Sequence, residues 1–147
     1  IRFIDPFLRL FISKNSSSIL TIISTIALPK PTRSIYFSES EFSNFEMMDE
    51  KLLTMLDKLR ETYGNPIKIT SSYRSPDHPI EAAKDTPGEH SYGAAVDIES
   101  VGGGKTFRLV KAAIEVGFER IGISRKKGFI HLGIGYPGAP LKTIWTY

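Results

Sequence analysis

Residues 90–97 read H-S-Y-G-A-A-V-D. Gly93 marks a reversal, and Ala94–Glu99 (A-A-V-D-I-E) has the composition of a strand. In a strand, side chains alternate between faces, so Ala95 and Asp97 share one face, and the small alanine leaves room beside the carboxylate. A turn at Gly93 can fold His90 back over Asp97. Downstream, G-F-I-H-L at 128–132 carries a further histidine in an apolar strand. There Phe129, His131 and Gly133 share a face, and Ile130, Leu132 and Ile134 take the other. If the two strands pair, His131 reaches His90 and Asp97. Two imidazoles and a carboxylate with an open fourth position form a catalytic zinc arrangement, in which the ion polarises a carbonyl and acidifies bound water. The plainer alternative is a turn entering a buried strand, with histidines satisfied by hydrogen bonds.

The flanking sequence predicts the scaffold. Ser38–Glu41 and Ser43–Glu46 both have the S-x-x-E form of a capping box, ahead of a helix over 46–63. Met48, Leu52, Leu56, Leu59 and Tyr63 give it an apolar stripe, and Gly64 is its stop. A strand is expected over 66–72 and a helix start at Ser75-Pro76-Asp77. A second helix is expected over 105–116, with Phe107, Val110, Ala113 and Ile114 facing inward. Arg120–Ser124 and Phe129–Ile134 read as a hairpin whose turn, 125–128, ends on Gly128. The tail carries Pro137 and Pro140 and ends in Trp145-Thr146-Tyr147. This order predicts an α+β fold, a small mainly antiparallel sheet with flanking helices.

Composition narrows the chemistry. The 147 residues suit one domain and include no cysteine, so disulfides and thiolate metal sites are excluded. A metal would be held by histidine and carboxylates, which favours zinc or another divalent ion. The net charge of +3 suits an anionic partner such as a cell wall, without the basic stripe of a nucleic-acid binder. G-G-G-K-T at 102–106 is not a phosphate loop, because that motif needs glycine at the position of Glu99; no nucleotide is expected.

Residues 1–35 differ from the rest. Arg2, Arg9 and Lys14 precede the apolar run Ile19–Leu28, and Thr25-Ile26-Ala27 offers small residues, the pattern of an export signal. The alternative is a β-rich or disordered lead-in. The run is shorter than the ~20 residues that span a bilayer, so a membrane enters only if this leader is an anchor. L-P-K-P-T-R-S at 28–34 is a linker, which leaves 36–147 as the domain.

Three separated motifs, S-S-Y-R-S-P-x-H from Ser71, H-x-x-G-x-A-x-D-I from His90 and G-F-I-H-L from Gly128, resemble the D-alanyl-D-alanine carboxypeptidase-type zinc peptidases. That family includes phage L-alanyl-D-glutamate endolysins, and the hedgehog signalling domain is similar to it. Phe37–Phe42 (F-S-E-S-E-F) resembles the opening of a peptidoglycan-peptidase subgroup. The resemblance implies a hedgehog/DD-peptidase-like fold with zinc on His90, Asp97 and His131. It implies that Arg74 binds a substrate carboxylate or stabilises an oxyanion, and that His78 lines the site. The activity implied is hydrolysis of peptidoglycan stem peptides, in the periplasm or wall of a cell or as a phage lysis or virion protein. One position departs from the pattern. The subgroup carries an acid two residues after the second metal histidine, and here that position is Gly133. Glu89 and His78 are the candidate general bases, although an extended chain would point Glu89 away from His90. The alternative function is a zinc-holding, catalytically weak wall-binding or structural module.

Overall fold

A computed structural model describes residues 33–147. Residues 1–32 of the proposed leader and linker, the apolar run included, lie outside the described residues. Among the described residues, no helix is long and apolar enough to cross a membrane.

Eight elements make two layers. Helix α1 spans Glu50–Tyr63, strand β1 Ile69–Ser71, the single turn α2 Pro79–Ala82, and β2 Ala95–Glu99. Helix α3 spans Gly103–Val116, β3 Arg120–Ser124, β4 Phe129–Gly133 and β5 Thr143–Thr146. The sheet order is β1-β2-β4-β3-β5, antiparallel throughout except for β3 with β5. The expected α+β class and mainly antiparallel sheet are therefore present.

One face of the sheet is apolar. Val96 and Ile98 of β2, Ile130 and Leu132 of β4, and Ile121 of β3 are buried against Leu52, Leu53, Leu56 and Leu59 of α1. Burying each of these side chains is worth about 1.5–3 kcal/mol. Leu109, Ala112 and Ala113 complete the cluster from α3, where the two alanines let the helices approach. Phe37, Phe42 and Phe45 close one end through edge-on ring contacts of 6.2 and 5.2 Å. The Asp57 carboxylate accepts from Ser34 Oγ and the amides of Ile35 and Tyr36, tying the entering chain to α1. The opposite face is left for chemistry.

Several local expectations shift. Helix α1 begins at Glu50, not 46, because Asp49 is its N-cap and accepts from the Lys51 and Leu52 amides at 2.7 and 3.4 Å. The residues before it form a short 3-10 turn, Phe45–Met47, and the Asp49 amide donates to Gly93 O. Ser43 does not cap; it bonds Ser72 and Tyr73 O. The Ser38 box exists, with the Ser38 amide donating to Glu41 at 2.9 Å, but it closes a 3-10 turn rather than a long helix. The single turn α2 starts at Pro79 rather than Pro76. In α3, Phe107 and Ile114 are exposed, because the inward stripe runs through Leu109, Ala112 and Ala113 instead. Strand β5 had no sequence counterpart; it adds a parallel edge strand beside β3.

Candidate metal centre

The polar face is built on one row across the sheet. Ser71 of β1 pairs with Asp97 of β2, Asp97 with His131 of β4, His131 with Gly122 of β3, and Gly122 with Trp145 of β5. Strand pairing thus sets Asp97 directly beside His131, as the alternation of β2 and β4 predicts. His90 arrives from a 3-10 turn, Glu89–Tyr92, that ends on Gly93 in the left-handed region at φ 63°. This glycine both reverses the chain and allows the turn to lie against the Met47 backbone.

Three donor atoms converge. Asp97 Oδ1 lies 3.3 Å from His90 Nε2 and 3.1 Å from His131 Nδ1. The two imidazole rings meet edge-on, 5.0 Å apart. All three residues are buried, and their donor atoms form a group able to hold a metal ion. The remaining polar atoms are already committed. His90 Nδ1 donates to Ser72 O at 2.6 Å, which leaves the Nε2 lone pair for a ligand role. His131 Nε2 donates to Glu89 Oε2 at 2.9 Å, which leaves Nδ1. Asp97 Oδ2 accepts from Arg74 Nη2 at 3.0 Å, which leaves Oδ1. Outer partners that fix the tautomer and rotation of each ligand are the mark of a built metal centre. The donor set fits zinc: two imidazoles, one carboxylate and an open side.

Charge in the cluster is mutually tuned. Burial alone would raise the Asp97 carboxyl, but hydrogen bonds from His131 and His90 outweigh it and hold Asp97 far below the usual carboxylate range. Glu89 behaves alike: burial opposes ionisation, and His131, Arg120 and the Gly135 amide overcome it, so its pKa is lowered. For His131, burial favours the neutral ring, yet Asp97 and Glu89 on its two nitrogens raise its pKa above the ordinary value.

A cleft of about 490 Å³ opens over the cluster. Arg74, Lys84, Arg120 and Lys127 bring positive charge to it, and Phe129, Tyr136, Trp145 and Tyr147 bring rings. Arg74, the expected substrate residue, lines this cleft while its guanidinium joins Ser71 Oγ at 2.8 Å to Asp97. His78 is placed differently. Its Nδ1 caps α2 by accepting from the Ile80 amide at 3.2 Å, and it lines an adjoining depression with Glu41, Ser43 and Tyr73. Glu89 corrects the extended-chain argument. The 3-10 turn, unlike a strand, lets the adjacent Glu89 and His90 both reach the His131 imidazole region.

A family model described as Peptidase M15 matches residues 32–133. The chain belongs to the Peptidase M15 family. No curated protein matches it. M15 peptidases are zinc enzymes of the D-Ala-D-Ala carboxypeptidase type, so a peptide is the class of substrate and zinc the metal for which the buried trio is suited. Sequence reasoning did not single out Arg120 and Trp145, which line the cleft beside the trio. Arg120 alternates with Gly122 on the hairpin strand facing His131, so its side could have been read from period two. Trp145 could not, because the prolines at 137 and 140 hid its strand.

Proposed function

We propose that this M15 peptidase hydrolyses peptide bonds in peptidoglycan stem peptides, with His90, Asp97 and His131 as its zinc ligands. The observation that carries the reading is the cleft directly over those three residues, open to solvent and edged by cations. Stem peptides are short and rich in carboxylates, and Lys84, Arg74 and Lys127 suit such an anionic chain. Zinc at such a ligand set supplies Lewis-acid polarisation of a carbonyl and a lowered pKa for water. The chain's own residues supply orientation. Ser72 O and Glu89 set the imidazole tautomers, and Arg74, held between Asp97 at 3.0 Å and Glu81 at 3.5 Å, lines the cleft where a substrate carboxylate or a developing oxyanion would meet its positive charge.

A second reading, a zinc-holding wall-binding module with weak catalysis, draws on one observation. Both carboxylates that line the cleft are engaged: Asp97 with two imidazoles and Arg74, Glu89 with His131, Arg120 and the Gly135 amide at 2.6 Å. Digestion of purified murein by the zinc-loaded protein separates the two. Release of peptide fragments that stops on chelation, and in His90→Ala and His131→Ala, supports the peptidase. Zinc-replete protein that binds murein and frees nothing supports the module and overturns the peptidase reading.

A further inference from the structure

The row next to the metal row is unusually empty at its centre. Ala95 of β2 pairs with Gly133 of β4, and Gly133 with Arg120 of β3. Side chains at 131 and 133 share a face, so a residue with a side chain at 133 would stand beside the His131 ring. That space is filled from elsewhere. A Cβ built on Gly133 would overlap the carboxylate of Glu89, meeting its Cδ and both oxygens. Gly133 is not at positive φ, so space rather than backbone conformation accounts for the missing side chain.

Glu89 is held there by three donors. Arg120 Nε donates to Oε2 at 3.0 Å, His131 Nε2 to Oε2 at 2.9 Å, and the Gly135 amide to Oε1 at 2.6 Å. Arg120 is itself fixed, by Pro140 O and by stacking of its guanidinium over Trp145 at 5.1 Å. Glu89 is only 4% exposed, and a buried carboxylate without such partners would be costly.

We propose that Glu89 is the positioning residue of the metal centre. Its carboxylate, delivered from the turn before His90 into the volume of residue 133, orients His131 so that Nδ1 faces the metal. Gly133 is the complement that makes the room, so a carboxylate at 89 with glycine at 133 is interchangeable with a small residue at 89 and an acid at 133. The inference rests on the reading of His131 as a ligand, for which His131→Ala is the control.

The test is zinc affinity by chelator competition, together with the visible spectrum of the cobalt-substituted protein and circular dichroism for folding. Glu89→Gln keeps the shape and loses the charge; Glu89→Ala loses both. Each is expected to weaken zinc binding about 10- to 100-fold and to alter the cobalt spectrum. Gly133→Asp alone is expected to lower thermal stability, because two side chains then compete for one volume. Glu89→Ala combined with Gly133→Asp is expected to regain most of the lost affinity and the native cobalt spectrum. Recovery is the readout that a merely structural role of Glu89 would not give. Native zinc affinity in Glu89→Gln, or absence of recovery in the double variant, overturns the proposal; if Glu89→Ala alone does not fold, Glu89→Gln decides. The titration involves no substrate, so failure of the peptidoglycan reading appears only in murein digestion and failure of this inference only in metal binding.

Discussion

A methyl group at position 93 has nowhere to go. Gly93 sits at φ 63°, and an added Cβ would run into the Met47 carbonyl and approach Met48 Cα at 3.1 Å, both backbone. Gly64, which ends α1, has a similar φ of 73° but nothing within 4 Å of an added Cβ. The two sites separate conformational strain from collision. Gly64→Ala is expected to cost about 1–2 kcal/mol, the left-handed penalty alone. Gly93→Ala carries that penalty plus a backbone clash that only movement of the His90 turn relieves. Its loss should exceed that of Gly64→Ala by about 2 kcal/mol or more, with weakened zinc binding besides. Equal losses in urea unfolding would show that the turn is not pressed against residues 47–48. A second buried residue gives a prediction of charge. Glu81 accepts from Lys84 and from the Gly88 amide, at 2.9 and 2.7 Å, and is 1% exposed. Glu81→Gln is expected to cost about 2 kcal/mol. Burial works against its ionisation, Lys84 and Gly88 prevail, and the pKa is lowered. A lowered carboxylate stabilises above its unfolded value and loses that contribution as pH falls through the folded one. The gap in melting temperature between native and Glu81→Gln should therefore close in acid; a gap that widens there would refute the assignment.

Strand β5 is the element that completes the site. Its Trp145 crosses Gly122 to reach His131, with ring centroids 5.3 Å apart. A Cβ at 122 would sit 2.7 Å from the indole, so glycine is what lets the ring lie flat across the row. Gly122→Ala should push Trp145 outward. Trp145 is the chain's one tryptophan, so a red shift of the intrinsic emission is the direct measure, with a stability loss of about 1–3 kcal/mol. Unchanged emission would mean that the indole does not depend on this gap. The same element marks the limit of what sequence conveys. Strands β2, β3 and β4 were legible because each alternates polar and apolar residues and is bounded by glycine turns, and their pairing then follows from matching faces. Strand β5 is short, lies beyond two prolines, and pairs in parallel with a strand about twenty residues earlier, which no local pattern encodes. The meeting of Asp97 with His131 was legible for the same local reason, whereas His90 joins them from a turn and the trio as a ligand set rested on the family resemblance. The placement of Glu89, named only as a candidate base, was not legible, because whether neighbours 89 and 90 point apart or together depends on a turn being 3-10 rather than extended.

For the whole molecule, metal binding and protonation compete for the same atoms. In the metal-free protein, Asp97 and Glu89 have lowered pKa values and His131 a raised one. The carboxylates contribute stability above their unfolded values, near 3.8 and 4.5, and lose it as pH falls through the folded ones. The raised His131 contributes fully below its unfolded value of 6.5 and loses that contribution as pH rises through its folded pKa. The metal-free protein is thus expected to be most stable in mildly acidic solution, where imidazolium and both carboxylates coexist. Zinc reverses the requirement, since a ligating His131 must give up the Nδ1 proton. Zinc that binds only the folded chain adds about 4 kcal/mol at a thousandfold excess over its dissociation constant. That addition should grow as pH rises past the folded pKa of His131, where no proton has to be displaced. Melting curves with zinc and with chelator should therefore lie farther apart at about pH 8 than at about pH 5.5. His131→Ala should remove most of the separation at both. A separation independent of pH would mean that the ion is not held through His131 Nδ1, and the centre would then need a different third ligand.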